Sequence, residues 1–210
     1  MTHHSEPGIT VTGIGHSSVP PDVMTVDLGI SVLAATVAEG RSVATAKARD
    51  LIASLKDRGV ADQDVQTARY TIHPEYDHHE GQQRLRGYRV SNDLQMALRD
   101  LGSAGEILDA AAEAGGDEVT INNVSFSVEN QSAARNQARA AAWSDALARA
   151  EHLARLSGRT LGDVAHIVET SGSPPGPGPL ARMAMAAEAA PIETGTTSIT
   201  VSLEVRFDLG

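Results

Sequence analysis

The sequence predicts an α+β fold in two layers, in which a mostly antiparallel sheet carries its helices on one face. Several segments alternate apolar and polar residues, as half-buried strands do, and others repeat apolar residues at helical spacing. After a leading strand, their order is strand, helix, strand, strand, helix, strand, which is the ferredoxin-like βαββαβ arrangement. A further long helix and two strands extend or double this core.

The pattern begins with a short strand that we expect to end at Gly13 and Gly15. Pro20 and Pro21 then exclude a helix and start a new extended segment. The remaining elements follow from their periodicity. The predicted strands are residues 9–15, 23–33, 65–76, 85–98, 119–128, 161–170 and 196–209, and the predicted helices are residues 37–58, 100–114 and 130–156.

Glycines and polar residues mark the boundaries of the middle elements. The first helix stops at Gly59, where a left-handed residue commonly ends a helix, and the shorter second helix stops at Gly115 and Gly116. Between the two helices, residues 77–83 are polar and are predicted to form the tip of an antiparallel hairpin.

The strand at residues 119–128 leads directly into the longest helix, whose start is signalled by Asn130, Gln131 and Ser132. Apolar residues recur along this helix at the spacing of a single stripe, which we expect to face the core. The members of the stripe are Trp143, Ala146, Leu147, Ala150, Leu153 and Ala154.

Length and composition predict one domain over residues 9–210, because 41% apolar residues can build a proper core in a chain of 210 residues. The alternative is two subdomains, at about residues 9–115 and 116–210. Residues 1–8 are expected to be a short flexible N-terminus. Residues 171–195 are rich in Pro, Gly, Ala and Met and form a loop that is either mobile or ordered by a partner.

Charge and residue content exclude several classes of function. A net charge of −10 and an aromatic content of 3% disfavour nucleic-acid binding. The absence of cysteine excludes disulfides, thiolate nucleophiles and Cys-type metal sites. The N-terminus has neither the basic nor the apolar part of a signal peptide, and no apolar run is long enough to cross a bilayer. We therefore expect a soluble, cytoplasmic protein without a transmembrane segment.

The predicted hairpin tip is the densest group of possible metal ligands in the chain. A solvated tip explains these residues more simply, because polar side chains belong there. His79 and Glu80 give only half of an H-E-x-x-H motif, and Gly81 disfavours the helix that this motif needs. The candidates are His73, Glu75, Asp77, His78, His79 and Glu80.

Other motifs give no catalytic or cofactor-binding residue. Gly13 and Gly15 resemble the start of a dinucleotide fingerprint, but its third glycine is missing and prolines stand where the helix must begin. No G-x-S-x-G motif is present. The arginines of the long helix are interpreted as a solvated face with Asp145 and Glu151 as partners. Met183 and Met185 mark either a contact for a protein partner or a plain linker.

Several motifs together resemble the SIMPL domain family of YggE-like proteins, over about residues 9–209. Each motif is weak alone, but their order and spacing are fairly specific. They are Ile9, Val11, Gly13 and Gly15 followed by Pro21 and Asp22; residues 67–76; Tyr88; Ile121, Val124 and Phe126; Leu153, Ala154, Ser157 and Gly158; and Pro191, Ile192 and Gly195.

The resemblance implies an α+β fold whose protomers assemble into large ring-like or channel-like oligomers. It also implies a role in stress, including oxidative stress and the DNA-damage response. It supplies no catalytic residues and no cofactor. We therefore expect a non-enzymatic, oligomer-forming binding or scaffold protein, with a homo-oligomer and a protein partner as its contacts. The alternative is a metal-dependent or small-ligand enzyme that uses the His-rich tip at residues 73–80.

Overall fold

The computed structural model describes residues 8–79, 82–170 and 194–210. Three predicted features therefore lie wholly or mostly outside the described residues. They are residues 1–7 of the predicted flexible N-terminus, most of the loop at 171–195, and Glu80. The elements are β1 (Gly8–Val19), β2 (Val23–Ala34), α1 (Val37–Asp57), β3 (Val65–His79), β4 (Gln82–Leu98), α2 (Ala104–Gly115), β5 (Val119–Ser127), α3 (Ser132–Leu156), β6 (Leu161–Thr170) and β7 (Thr197–Leu209), with short 3-10 helices at Asp62–Asp64 and Gly116–Glu118.

The chain divides into two compact units, one of residues 21–127 and one of residues 1–20 with 128–210. Each unit has one antiparallel sheet with helices packed against it, so the predicted two-layer α+β fold is confirmed. β5 pairs with β2 within the first unit, whereas the alternative of two subdomains assigned residues 116–127 to the second.

The unit of residues 21–127 has the ferredoxin-like topology that the sequence predicts. Its sheet has the order β3-β4-β2-β5, and every neighbouring pair is antiparallel. One face packs on α1 and α2 through the alternating apolar residues of β2 and β4. Leu28, Leu51 and Leu94 are among the fully buried side chains of this core. The other sheet face carries polar residues, as expected for an antiparallel sheet with a single helical layer.

The second unit has a three-stranded sheet in the order β1-β7-β6, with α3 packed on it. The residues of α3 that pack inward are all alanines, spaced four apart from Ala134 to Ala154. Leu153, which the prediction placed in the core stripe, is 44% exposed. Trp143 and Leu147 pack at the margin of the core and are only partly buried. Among its large residues the predicted stripe was therefore wrong for Leu153, whereas Trp143 and Leu147 do pack against this core.

The alanine stripe follows from a very close approach of α3 to β1. A Cβ at Gly13 would lie 2.7 Å from the Cβ of Ala146 and would overlap the carbonyl oxygen of Ala142. A Cβ at Gly15 would overlap backbone atoms of Ala138 and Ala142. Only residues with little or no side chain fit on both sides of this contact. Gly13 and Gly15 therefore provide the surface on which the helix packs.

Three predicted boundaries differ from the structure. β1 does not end at its glycines but continues to Val19, which pairs with Thr197. α2 begins at Ala104 rather than at residue 100. The predicted tip at 77–83 is mostly strand, since β3 and β4 remain paired as far as His79 and Gln82. Residues 77–79 and 82–83 are polar, yet their backbones remain paired in the two strands.

Candidate functional site

The His-rich hairpin is the first candidate, and β3 does bring part of it together. Glu75 and Asp77 lie on one side of the hairpin, because Nη1 of Arg86 is 3.9 Å from a carboxylate oxygen of each. Glu75 accepts hydrogen bonds from Arg89, at 2.8 Å from Nε and 2.7 Å from Nη2. Both nitrogens contact the same oxygen, Oε2, so Arg89 is ion-paired with Glu75 through one carboxylate oxygen.

The histidines of the hairpin do not converge with these carboxylates in the described part of the chain. His73 is exposed, and Nε2 of His78 lies 3.3 Å from Nε2 of Gln83. Among residues 8–79, 82–170 and 194–210, no group of three or more His, Cys, Asp or Glu side chains is placed to hold a metal ion. Because His79 is described only as part of β3 and Glu80 lies outside the described residues, metal binding at the tip stays a prediction.

Arg139 and Arg149 of α3 are ion-paired; the predicted partner Asp145 is confirmed, whereas Glu151 has no ion-pair partner among the described residues. Arg139 forms two hydrogen bonds to Glu169 of β6, at 2.7 and 3.0 Å. Arg149 pairs with Asp145 one turn away at 3.0 Å. Oδ2 of Asp145 also accepts a hydrogen bond from the backbone N–H of Ile14 at 2.9 Å, so this carboxylate connects α3 to the edge strand β1.

These contacts lower the pKa values of both carboxyl groups. The hydrogen bond from the Ile14 amide, helped by Arg149, holds the pKa of Asp145 below its ordinary value of 3.8. The hydrogen bond and the positive charge of Arg139 hold the pKa of Glu169 below 4.5. A carboxyl with a lower pKa in the folded state adds stability above its unfolded pKa, and this stability disappears as the pH falls through the folded pKa.

We therefore expect the unit that contains α3 to lose stability as the pH falls below these ordinary carboxyl values and on through the lowered pKa values of Glu169 and Asp145. Glu169→Gln should weaken the dependence of stability on acidic pH. The control is Glu151→Gln, because Glu151 is an exposed residue of α3. Denaturant unfolding at a series of pH values measures the effect. An unchanged pH profile in Glu169→Gln would contradict the assignment.

A second candidate is the outer strand β6, which the sequence did not single out. Val164, Ile167 and Val168 are 40%, 50% and 40% exposed, although their residue types are those of a buried strand. α3 packs chiefly on β1 and β7, so its cover does not extend over β6. Within the described residues, β6 pairs with β7 alone. Its outer edge thus combines free backbone groups with exposed apolar side chains.

A third candidate is a polar cavity of about 560 Å³ in the unit of residues 21–127. It is lined by residues of β2, β3, β4 and β5, most of them polar, among them Asp27, Arg69 and Asp93. These residues are scattered over the sequence, and only the strand register brings them to one place. No local motif could have revealed this cavity.

Comparison with known proteins confirms the resemblance inferred from the motifs. Residues 9–207 match the family described as SIMPL, protein of unknown function (DUF541). The chain is 33% identical to the 26 kDa periplasmic immunogenic protein of Brucella melitensis, over 96% of this chain and 84% of that protein. It is 32% identical to the uncharacterized protein YggE of Escherichia coli K12, over 91% of this chain and 76% of that protein.

The relatives correct the expected location of the protein. The predicted cytoplasmic location is wrong, because the similar proteins of Brucella melitensis and Brucella abortus are periplasmic by name. Their similarity extends over nearly the whole chain, whereas the prediction rested only on eight N-terminal residues. In the described part of the chain, no α-helix combines the length and the apolar character needed to cross a membrane.

Proposed function

This chain belongs to the SIMPL family, and from that premise we propose that it is a non-enzymatic scaffold protein that assembles from copies of itself. The observation that carries the proposal is the exposed apolar edge strand β6. A soluble protein that leaves a strand of this kind uncovered exposes a template for pairing with another chain.

The side chains of β6 are arranged so that a second copy can cover them. Val164 and Ile167 are in register with Phe207 and Val205, so they point to the side of the sheet on which α3 lies. Val168 is in register with Glu204 and points to the other side. A strand added at this edge would cover apolar side chains on both sides of the sheet while it satisfied the free backbone groups.

The partner that fits this edge most simply is β6 of a second copy. An antiparallel pair of identical strands is related by a two-fold axis, which is the commonest symmetry of protein oligomers. The Arg139–Glu169 ion pair lies beside the edge and is already formed, so Glu169 brings no uncompensated charge to this interface. Such pairing produces one continuous sheet across two protomers, and a further interface of each protomer would then extend the dimer into a larger assembly.

Ile167→Arg is expected to shift the protein from an oligomer to a monomer, because it places a charge in the apolar part of the proposed interface. The measurement is size-exclusion chromatography with light scattering over a range of protein concentrations. Leu156→Arg is the matched control, since Leu156 is 72% exposed at the end of α3. The proposal fails if the unmutated protein is monomeric at high concentration, or if the control disrupts assembly equally.

We further propose a periplasmic location, which is supported by the names of the Brucella relatives. A role in the response to oxidative stress and DNA damage is supported by the family resemblance alone. A protein partner of this scaffold is proposed on the same ground.

The alternative is a metal-dependent or small-ligand enzyme at the hairpin tip. It has less support, because Arg89 already occupies the carboxylate of Glu75. Titration calorimetry with zinc, nickel and manganese distinguishes the two proposals. Heat that disappears in the His78→Ala/His79→Ala double variant would favour the metal site, and the absence of such heat would remove it.

A further inference from the structure

Irregular strand pairing borders the polar cavity of the unit of residues 21–127. Two β-bulges border it: Ala68 is skipped in the pairing of β3 with β4, and Asn122 is skipped in the pairing of β5 with β2. A bulge places an extra residue in one strand, bends that strand and redirects its side chains. Both outer strands of this sheet therefore deviate from regular pairing beside the same cavity.

The centre of this sheet face has no side chain on β2. Gly29 is paired with Asp93 on one side and with Thr120 on the other. A Cβ at Gly29 would lie 2.7 Å from the carbonyl oxygen of Asn92 and 3.0 Å from Oδ1 of Asp93. Any larger residue would thus displace the Asp93 carboxylate from its place in the cavity wall.

One carboxylate of the cavity is held in place by a chain of amides. Oδ1 of Asp27 accepts a hydrogen bond of 3.0 Å from Gln95, and its Oδ2 accepts one of 3.4 Å from Asn123. The side chain of Gln95 is in turn fixed by Gln66, at 2.9 Å. This network fixes the orientation of Asp27 without neutralising its charge.

Two further charged groups of the cavity are not paired in this way. Arg69 and Asp93 are register partners on β3 and β4 and both line the cavity. Their side chains do not form an ion pair with each other, and neither has a hydrogen-bond or ion-pair partner among the described residues. A guanidinium and a carboxylate thus face the same cavity with their hydrogen-bonding capacity free.

We propose that this cavity binds a small zwitterion of the α-amino-acid type. The carboxylate of Asp93 accepts hydrogen bonds from the ligand's ammonium group. The guanidinium of Arg69 donates hydrogen bonds to the ligand's carboxylate. The hydroxyl oxygens of Ser91 and Thr120 also line the cavity and supply further acceptors, since their protons are donated to Ser31 and to the carbonyl of Gly29. The volume of about 560 Å³ lies within the range of small-molecule sites.

The charges of the cavity favour this class of ligand over others. Asp27 and Asp93 outnumber Arg69, so a plain anion would be repelled, whereas an amino acid with a cationic side chain would gain a second favourable contact at Asp27. A divalent metal ion is disfavoured, because among the described residues no group of three or more His, Cys, Asp or Glu side chains is placed to hold one. A neutral apolar ligand would leave these charged groups buried without partners.

Titration calorimetry of the full chain with L-lysine tests the proposal. Nα-acetyl-L-lysine lacks the α-ammonium group, and L-lysinamide lacks the carboxylate. Both should bind at least about tenfold more weakly than L-lysine if each of these charges makes its own contact. L-Glutamate should also bind more weakly, because its side chain would meet Asp27. The absence of heat with L-lysine up to about 10 mM, which covers weak small-molecule affinities, would overturn the proposal.

Asp93→Asn and Arg69→Gln assign the binding to this cavity. Neither variant removes a hydrogen bond or ion pair within the described residues, so the thermal unfolding temperature should change little while affinity falls about tenfold or more. Arg86→Gln is the control, because Arg86 lies on the same hairpin outside the cavity. Binding that survives both cavity variants, or that is equally weakened by the control, would refute the assignment.

Discussion

Gly15→Ala is expected to lower the free energy of unfolding of the unit that contains α3 by about 3 kcal/mol. The added methyl group would overlap the carbonyl oxygen of Ala138 and the amide nitrogen of Ala142. Since these are backbone atoms within a helix, no side-chain rotation can relieve the overlap. The whole helix would have to move away from β1, and the close packing along the alanine stripe would be lost.

Denaturant unfolding followed by tryptophan fluorescence measures this effect directly. Trp143 is the only tryptophan of the chain, and its ring centre lies 6.1 Å from that of Phe207 in the same core. Gly105→Ala is the control: Gly105 lies in α2, and a Cβ there would meet no atom within 4 Å. It should change stability by less than about 1 kcal/mol, in the stabilising direction. Equal effects of the two substitutions would refute the steric explanation.

Leu51→Ala should produce the largest loss in the other unit, about 3 kcal/mol. Leu51 is 0% exposed and lies in the core that α1 forms with β2 and β4, so truncation removes buried methyl groups and leaves a cavity. The ferredoxin-like sheet has a helical layer on one side only, and the fully buried residues of that layer have few alternatives for repacking.

Hydrogen exchange of the β2 amides reports on Leu51→Ala, because these amides lie in the central part of the sheet of that unit. Leu156→Ala is the control with the same chemical change at a side chain that is 72% exposed. It should alter stability by no more than about 0.5 kcal/mol. Unchanged protection of the β2 amides in Leu51→Ala would contradict the assigned role of this leucine.

The order and type of the elements could be predicted because burial in this chain follows local periodicity. β2 alternates buried and less buried residues over most of its length, and this pattern is visible in the sequence. The alanine stripe of α3 could not be predicted in the same way, because hydrophobic patterns give most weight to large residues. What selects alanine at these positions is the proximity of Gly13 and Gly15, which lie more than a hundred residues earlier in the chain.

The candidate sites were harder to predict for a related reason. The hairpin tip is a candidate in the sequence because its histidines and carboxylates are close together along the chain. In the structure, however, Glu75 is paired with Arg89, and no metal-binding group forms among the described residues. The polar cavity depends on register: Arg69 faces Asp93 only because Ala68 is bulged out of the pairing. The edge of β6 depends on the placement of α3 over the neighbouring strands.

The way in which the chain enters and leaves the unit of residues 21–127 bears on the order of folding. The backbone amide of Asp22 donates to the carbonyl of Ser127 at 3.1 Å, so the two ends of this unit meet. A chain that emerges N-terminus first therefore completes this unit once residue 127 is available, whereas β1 must wait for β7, its partner strand near the end of the chain. We therefore expect the unit of residues 21–127 to fold first, while β1 stays unpaired until β7 is available.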